Sequence, residues 1–394
     1  MTWLDGVAGV AMLAWLYLLL FHDRFWRCTE RLAPPVDPSA AAWPAIAAVV
    51  PARNEEETIV AVLDGLVAQD YPGALSILLV DDHSTDQTRS RAQALTARAG
   101  NRHGLTIVSG EPLPPGWAGK LWALHHGIAE ATRARPETEF YFLTDADIVH
   151  SPDTLRALVG KAAAEGCDLV SLMAKLHCST AWERLLIPAF VFFFQMLYPF
   201  PGANDPRRST AAAAGGCVLI RRTLLEQIGG IAAIRAALID DCALGKAIKA
   251  SGGRLWVGLA DNTRSLRVYR DLSPIWMMVA RSAFTQLRYS VLILLGTILG
   301  MLLVFLAPPL LVLAGALHAA STTTLLVAGA AWLLMSAAYL PTLRYYRQPA
   351  ALALSLPLAA LFYLGMTLDS ARRHWWGSGS RWKGRDYGRH HAPI

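Results

Sequence analysis

The chain has 394 residues, of which 54% are hydrophobic and only 17% charged, and that balance excludes a single ordinary soluble domain. The net charge of +6 does not point to nucleic acid, because many of the cations sit beside hydrophobic stretches: Arg24, Arg27 and Arg31 after the first, and Arg372, Arg373, Arg381, Lys383 and Arg385 after the last. Cations beside a membrane span favour the cytoplasmic side and anionic headgroups.

Apolar residues crowd the first 21 positions and the region from 289 to 369, while the middle has ordinary soluble composition. The expected organisation is an N-terminal anchor (1–22), a linker (23–44), an α/β domain (45–288), membrane helices (289–370) and a basic tail (371–394). The five cysteines, Cys28, Cys167, Cys178, Cys217 and Cys242, are odd in number and scattered. That pattern fits a reducing compartment and argues against a disulfide framework or a zinc site.

In chain order, Trp3 to Phe21 is long enough to span a bilayer. It lacks a basic leader and a clear small-x-small cleavage site, so it reads as a retained anchor. A linker rich in Pro and Ala follows, with Pro34, Pro35, Pro38 and Pro44. The run Ala45 to Val50 reads as a buried parallel-type strand, and Glu55 to Gln69 as a helix with Ile59, Val62, Leu63 and Leu66 on one face. A second strand, Ile77 to Val80, ends in Asp81-Asp82, and Ser84 or Asp86 can cap the helix that starts near Gln87. A third strand is Leu105 to Val108. A Pro-rich loop then leads through Gly119-Lys120 into a helix over 121–132. Phe140 to Leu143 is a further buried strand, and it stops at Asp145-Ala-Asp147.

Strands alternating with helices predict an α/β fold with a mostly parallel sheet flanked by helices. Ligands of such sheets bind at the carboxyl ends of the strands. Asn54, Asp82 and Asp145 all lie at such ends and would converge on one cleft.

Beyond the acidic triplet, a helix over 152–164 and a strand over 168–174 are expected. The aromatic stretch 185–200 is short for a span and reads as a helix lying against the membrane, with a core helix as the alternative. Ala211 to Cys217 reads as a mobile segment of small residues before a strand at 218–220. Asp240-Asp241 opens a helix closed by Gly252-Gly253. Stretches at 290–318, 322–342 and 350–369 are each long enough to span, the first with Pro308-Pro309 inside. Three simple spans put the tail outside, against the preference of Arg344, Arg347 and the tail for the cytoplasm.

The acids suit nucleotide-sugar transfer. The leaving diphosphate builds up negative charge that a divalent metal can neutralise, and Mg²⁺ or Mn²⁺ suits carboxylate, phosphate and water oxygens. Asp145 and Asp147, on one tight turn, are candidate metal ligands. A separate carboxylate must take the proton of the attacking hydroxyl, and Asp241, at a helix start far along the chain, is the candidate base. Asp81 or Asp82 would accept hydrogen bonds from the base or ribose. Lys120 would pair with a phosphate as a point charge.

Taken together, Val50-Pro-Ala-Arg-Asn-Glu-Glu56, Val80-Asp-Asp-His-Ser-Thr-Asp-Gln-Thr88, Gly119-Lys120, Asp145-Ala-Asp147 and Gly229-Gly230 with Asp240-Asp241 resemble the inverting family 2 glycosyltransferases of GT-A fold. The resemblance covers residues 45–290. The flanking spans and the tail Trp382-Lys-Gly-Arg-Asp-Tyr387 are most similar to the bacterial hopene-associated glycosyltransferases and, more distantly, to ceramide glucosyltransferases. It implies nucleotide-sugar binding by Pro51, Ala52, Arg53, Asn54, Glu55, Asp81, Asp82, Lys120 and Asp145, metal at Asp145 and Asp147, and base catalysis by Asp241. It also implies a lipid acceptor and a bacterial inner-membrane location with the catalytic domain in the cytoplasm.

One stretch departs from the pattern. Related processive synthases and ceramide glucosyltransferases carry Gln/Arg-x-x-Arg-Trp before their membrane helices. Here Thr285 and Tyr289 stand at the first and last positions, and only Arg288 is kept. Arg288 is expected to contact the diphosphate and Tyr289 to take over stacking. The departure favours a single transfer over processive polysaccharide synthesis. Competing readings are a non-catalytic nucleotide-sugar-binding scaffold and a small transporter. The later spans carry almost none of the intramembrane charges expected of a transporter.

Overall fold

The computed structural model describes residues 3–34, 43–96, 103–376, 380–382 and 385–387. Pro35 and Pro38 of the linker and Lys383 of the tail lie outside them.

The chain opens with helix α1 (Trp3–Leu20) and a short 3-10 turn, Phe25–Arg27. After the linker come β1 (Ile46–Ala52), α2 (Ile59–Val67), β2 (Leu75–Asp81), α3 (Thr88–Thr96), β3 (Gly104–Ser109), α4 (Gly119–Ala134) and β4 (Phe140–Thr144). The second half adds β5 (Ile148–Val149), α5 (Thr154–Glu165), β6 (Leu169–Lys175), α6 (Ala181–Leu197) and α7 (Phe200–Asn204). It continues through β7 (Cys217–Arg221), α8 (Arg222–Gln227), α9 (Asp240–Ala250) and β8 (Leu255–Ser265) to α10 (Leu272–Ala280) and α11 (Ala283–Gln286).

These strands form one eight-stranded sheet in the order β3-β2-β1-β4-β7-β6-β8-β5. β3, β2, β1 and β4 run parallel to one another, as do β6 and β8. β7 runs antiparallel to both β4 and β6, and β5 antiparallel to β8. The sheet is therefore mixed, with its parallel half where the sequence shows alternating strands and helices. β1 and β2 are buried at every position, so both sheet faces are covered and their residues are apolar without alternation apart from Ser76 and the terminal Asp81. Gly127 of α4 allows the closest approach to that sheet, since a Cβ there would lie 2.5 Å from Val49 and 2.7 Å from Val80.

Several expectations are corrected. The helix placed at Glu55 starts at Ile59, because 54–58 is a turn entered through Asn54 at φ +53°. The longest strand, β8, was not expected at all. The segment 211–216, expected to be mobile, is packed: Ala212 and Ala213 are buried, and Ser171 Oγ both accepts from Ala214 N and donates to Ala214 O. Its small residues let α9 approach, since a Cβ on Gly245 would lie 2.9 Å from the Ala212 backbone. The expectation for the aromatic helix α6 is not corrected: α6 packs on the apolar stretches, with Phe192 against Tyr339 and Phe193 against Phe305 and Tyr363.

Four helical stretches are long and apolar enough to cross a membrane: Trp3–Leu20, Val291–Ala316, Thr322–Tyr345 and Ala350–Trp376. They are α1; α12 (Val291–Met301) joined by a π-helical turn to α13 (Ala307–Ala316); α14 (Thr322–Tyr345); and a 3-10 turn leading into α15 (Leu356–Trp376). They expose large apolar side chains such as Leu13, Leu292, Leu299, Leu313 and Leu333. Exposure of that kind is costly in water and suits a lipid surround.

Three of them share a far end. There, Ser321 Oγ donates to Asp5 at 2.6 Å, and Ala8, Leu311 and Ala328 pack together. At the other end they meet the sheet domain, where Tyr345 Oη donates to the Ala260 carbonyl and His22 pairs with the Met196 carbonyl. The fourth stretch differs. Gln348, just before it, donates to the Cys178 carbonyl, and Tyr363 Oη donates to the Leu186 carbonyl. Near its end, Asp369 accepts from Trp276 Nε1, and Ser370 accepts from Phe284 N. Its start, middle and end therefore all touch segments on the sheet-domain side.

Candidate active site

The carboxyl ends of β1, β2 and β4 meet at one cleft edge. The β1 turn and the β2 turn are laced together: Arg53 donates to the Asp82 carbonyl at 2.6 Å, Asn54 N to Ser84 Oγ, Glu55 N to Thr88 Oγ1, and Thr85 N to the Asn54 side chain. Asn54 and His83 both hold left-handed φ values, +53° and +54°, which Asn tolerates better than most residues. Asp81 accepts from Ser84 N and stands 3.5 Å from Arg89. Asp82 is buried, and its N–H donates to the Ala52 carbonyl. Pro51, Ala52, Arg53, Asn54, Glu55, Asp81 and Asp82 thus lie together along one wall of the cleft, laced by these hydrogen bonds.

This wall is tied to the acidic triplet by Thr58 Oγ1, which donates to the Ala146 carbonyl at 2.7 Å. Ala146 itself is buried, so the middle residue of the triplet points inward and the two carboxylates outward. Beneath the turn, Thr144 Oγ1 donates to the Gly216 carbonyl at 2.9 Å and lies 2.7 Å from His150 Nε2. The Thr144 proton being used, Nε2 carries the hydrogen of that contact, and Nδ1 faces Thr263 Oγ1 at 3.3 Å. Burial pushes the His150 pKa down to about 3, so the ring is a neutral brace behind Asp145.

The second acidic pair, Asp240-Asp241, starts α9. One ammonium joins it to the triplet: Lys120 Nζ lies 2.7 Å from Asp145 and 3.0 Å from Asp240. Lys120 was expected to face a phosphate, and here it bridges two carboxylates. Burial alone would lower its pKa, but Asp145 and Asp240 outweigh that and hold it above the usual lysine range. Asp145 is pushed up by burial, against the pull of Lys120 and with the push of Asp147.

Asp241 points next to this bridge. Its carboxylate accepts from Gly215 N at 3.0 Å and from Cys242 N at 2.7 Å. Burial and the neighbouring Asp240 raise its pKa to about 6, against the opposing effect of Lys120 and the two N–H donors. A carboxyl in that range is a stronger base than an ordinary surface carboxylate and is still ionised at neutral pH.

A residue that sequence reasoning missed completes the cleft. Arg267, just past β8, lies 2.9 Å from Asp147 and 3.3 Å from Glu55. Each carboxylate of the triplet thus has its own cation. The signal that would have found Arg267 is β8 itself, whose end places residues 265–267 beside Asp147: Leu266 N donates to the Asp147 carbonyl at 2.8 Å.

Arg288 is not brought into this group. It is exposed in the turn after α11, at φ +52°, with no ion pair to the cleft acids among the described residues. Tyr289, expected to take over stacking, stacks on His374 with ring centroids 4.4 Å apart. Gln286 from the same stretch faces inward and pairs with Tyr198 Oη.

The donor set fits a hard divalent cation. Asp145 uses Oδ1 for Lys120 and Asp147 uses Oδ2 for Arg267, which leaves the other oxygen of each carboxylate. Among the described residues no group of three or more His, Cys, Asp or Glu is placed to hold a metal. Any ion would therefore need further oxygens from a substrate or water.

A cleft at the carboxyl ends of a parallel half-sheet, walled by backbone donors and floored by paired carboxylates, belongs to the GT-A class of fold. The comparisons are in line with that. Residues 47–229 match the family described as "Glycosyl transferase family 2". The chain is 25% identical over 205 residues to the 4,4'-diaponeurosporenoate glycosyltransferase of Staphylococcus aureus strain USA300, a match that covers 52% of this chain and 51% of the relative. The chain thus spans about half the length of the curated relatives it matches. Its fold is similar to that of the mannosyltransferase PcManGT from Pyrobaculum calidifontis, solved in complex with GDP-Man and Mn2+. That similarity covers 95% of this chain and 99% of the other, with a TM-score of 0.55 and 22% identity.

Gly215 gives the site a direct test. A Cβ there would stand 3.1 Å from Lys120 Nζ and 3.5 Å from Asp241 Cβ. A Gly215→Val variant should keep a nearly unchanged unfolding temperature in detergent but lose about a hundredfold in turnover, since a catalytic group displaced by about 1 Å costs that much. Turnover within threefold of the unmodified protein would show that this approach does not matter.

Proposed function

We propose that the protein moves a sugar, with inversion, from a nucleotide-diphosphate donor to the hydroxyl of a lipid, in a single transfer at the membrane surface. The observation that carries this reading is the Asp145–Lys120–Asp240 bridge beside Asp241, in which the triplet would serve as the diphosphate pole and Asp241 as the base pole of one cleft. The wall from Pro51 to Glu55 with Asp81 and Asp82 would hold the nucleotide. Asp145 and Asp147 would hold Mg²⁺ or Mn²⁺, which would neutralise charge on the leaving diphosphate. Lys120 and Arg267 would hold the carboxylates in place and supply positive charge beside the phosphates.

Asp241 would take the proton of the acceptor hydroxyl as that oxygen attacks the anomeric carbon. Its two backbone donors fix the carboxylate in orientation. A lipid acceptor is supported by the four apolar helices and by the name of the 4,4'-diaponeurosporenoate glycosyltransferase relative. A hopanoid acceptor rests on the sequence resemblance alone.

The path of the fourth apolar stretch supports a specific topology. α1, α12–α13 and α14 would cross the bilayer. α15, held at both ends on the sheet-domain side, would lie in the adjacent leaflet. Arg24, Arg27, Arg31, Arg344, Arg347 and the tail would then share the cytoplasmic side with the catalytic domain, which satisfies the charge preference that three simple C-terminal spans violate.

Replacing Asp241 with Asn should abolish transfer and leave donor binding, measured by calorimetry, nearly intact. In the unmodified protein kcat/KM should fall as pH drops through about 6, because the protonated carboxyl cannot accept the hydroxyl proton. Full activity in the Asn variant, or a flat profile through that range, would rule out the assignment. A periplasm-active reporter fused after the tail should stay silent and a cytoplasm-active one should work. The reverse would show that α15 crosses.

A further inference from the structure

Away from the catalytic cleft, a second cavity of about 490 Å³ opens where the spans meet the sheet domain. Its lining comes from three places: the turn after α1 (Arg27 and Arg31), the end of α14 (Arg344 and Arg347), and the sheet strands β6 and β8 (Lys175 and Asp261). It shares none of these residues with the cleft acids or their cations.

The charge here is lopsided, with five cations facing one carboxylate. Arg31 is committed to that carboxylate, 2.6 Å from Asp261, and lies over the Tyr345 ring. Lys175 donates to the Tyr345 carbonyl at 2.7 Å and sits over the same ring, 4.6 Å from its centroid. Arg27, Arg344 and Arg347 have no ion pair among the described residues, and all three are exposed. Burial, Arg347 and Arg31 hold Lys175 below the usual lysine range, against the pull of Asp261. Gathering cations in this way is unfavourable unless an anion joins them.

The place decides which anion. The cavity sits at the ends of α1 and α14 that meet the sheet domain, at the level where lipid headgroups lie if these helices cross. Guanidinium groups bind phosphate through paired N–H donors, and basic pockets at such ends suit anionic headgroups.

We propose that this cavity is a phosphate-binding site filled from the bilayer by the headgroup of an anionic phospholipid, clamped by Arg344 and Arg347 with Arg27 and Lys175 behind. Its occupant ties the end of α14 and the turn after α1 to the sheet. The site rests on the membrane embedding described above but not on the transfer reaction, so a binding assay tests it independently of catalysis.

The test is native mass spectrometry of the full chain in detergent, titrated with phosphatidylglycerol, phosphatidylcholine or glycerol phosphate. One phosphatidylglycerol should bind saturably, and phosphatidylcholine should show no comparable adduct. The Arg344→Gln/Arg347→Gln variant should bind phosphatidylglycerol about 25-fold more weakly, from about a fivefold loss per arginine near a membrane surface. The Arg344→Lys/Arg347→Lys variant should recover part of that loss, and an unchanged unfolding temperature in both would confirm that they fold. Equal binding by the Gln variant and the unmodified protein would overturn the site. Glycerol phosphate binding as tightly as phosphatidylglycerol would overturn the bilayer as its source.

Discussion

The site depends on one ammonium group. Lys120 Nζ lies within 3.0 Å of carboxylates from two elements 95 positions apart in sequence, Asp145 after β4 and Asp240 at the start of α9. Without it, Asp145, Asp147, Asp240 and Asp241 would repel one another in a partly buried cleft, and their pKa values would rise. With it, the acids stay together, and Asp241 is tuned upward only to about 6. The fold pays for this cation by burying it at the first turn of α4, where Gly119-Lys120 enters the helix. Gly215 completes the arrangement by leaving room for both Lys120 and Asp241.

Much of this was legible in the sequence. β1, β2 and β4 are largely apolar runs because both sheet faces are covered, and polar residues follow or close each at the cleft. Asp82, Asp145, Asp147 and Asp241 could be singled out because acids at strand ends or helix starts stand out against such runs. β8 was harder to read, since only its first half is apolar and the second, Asp261 to Ser265, is polar. Missing it meant missing Arg267, whose partner Asp147 is 120 positions away. The small residues of 211–216 were misread because composition cannot separate a loose segment from one thinned to admit a helix. The stacking partner of Tyr289 was not legible either, because His374 comes from the far end of the chain.

The apolar helices show the same division. Their number and length follow from composition, and four are long enough to cross. Their direction does not. Only contacts such as Trp276 with Asp369 and Gln348 with Cys178 reveal that both ends of the last stretch return to the sheet domain. That path places α6, α10 and α15 as a shared apolar layer beneath the catalytic sheet. Tyr198 and Gln286 are hydrogen-bonded to each other beside this layer.

The central claim is that the sugar goes to a membrane lipid, one unit at a time. It is tested most directly by mass spectrometry of total lipids from cells with and without the gene. The account predicts one lipid class that carries a single added hexose or aminosugar mass only when the gene is present. An unchanged lipid profile together with a gene-dependent polysaccharide would contradict it.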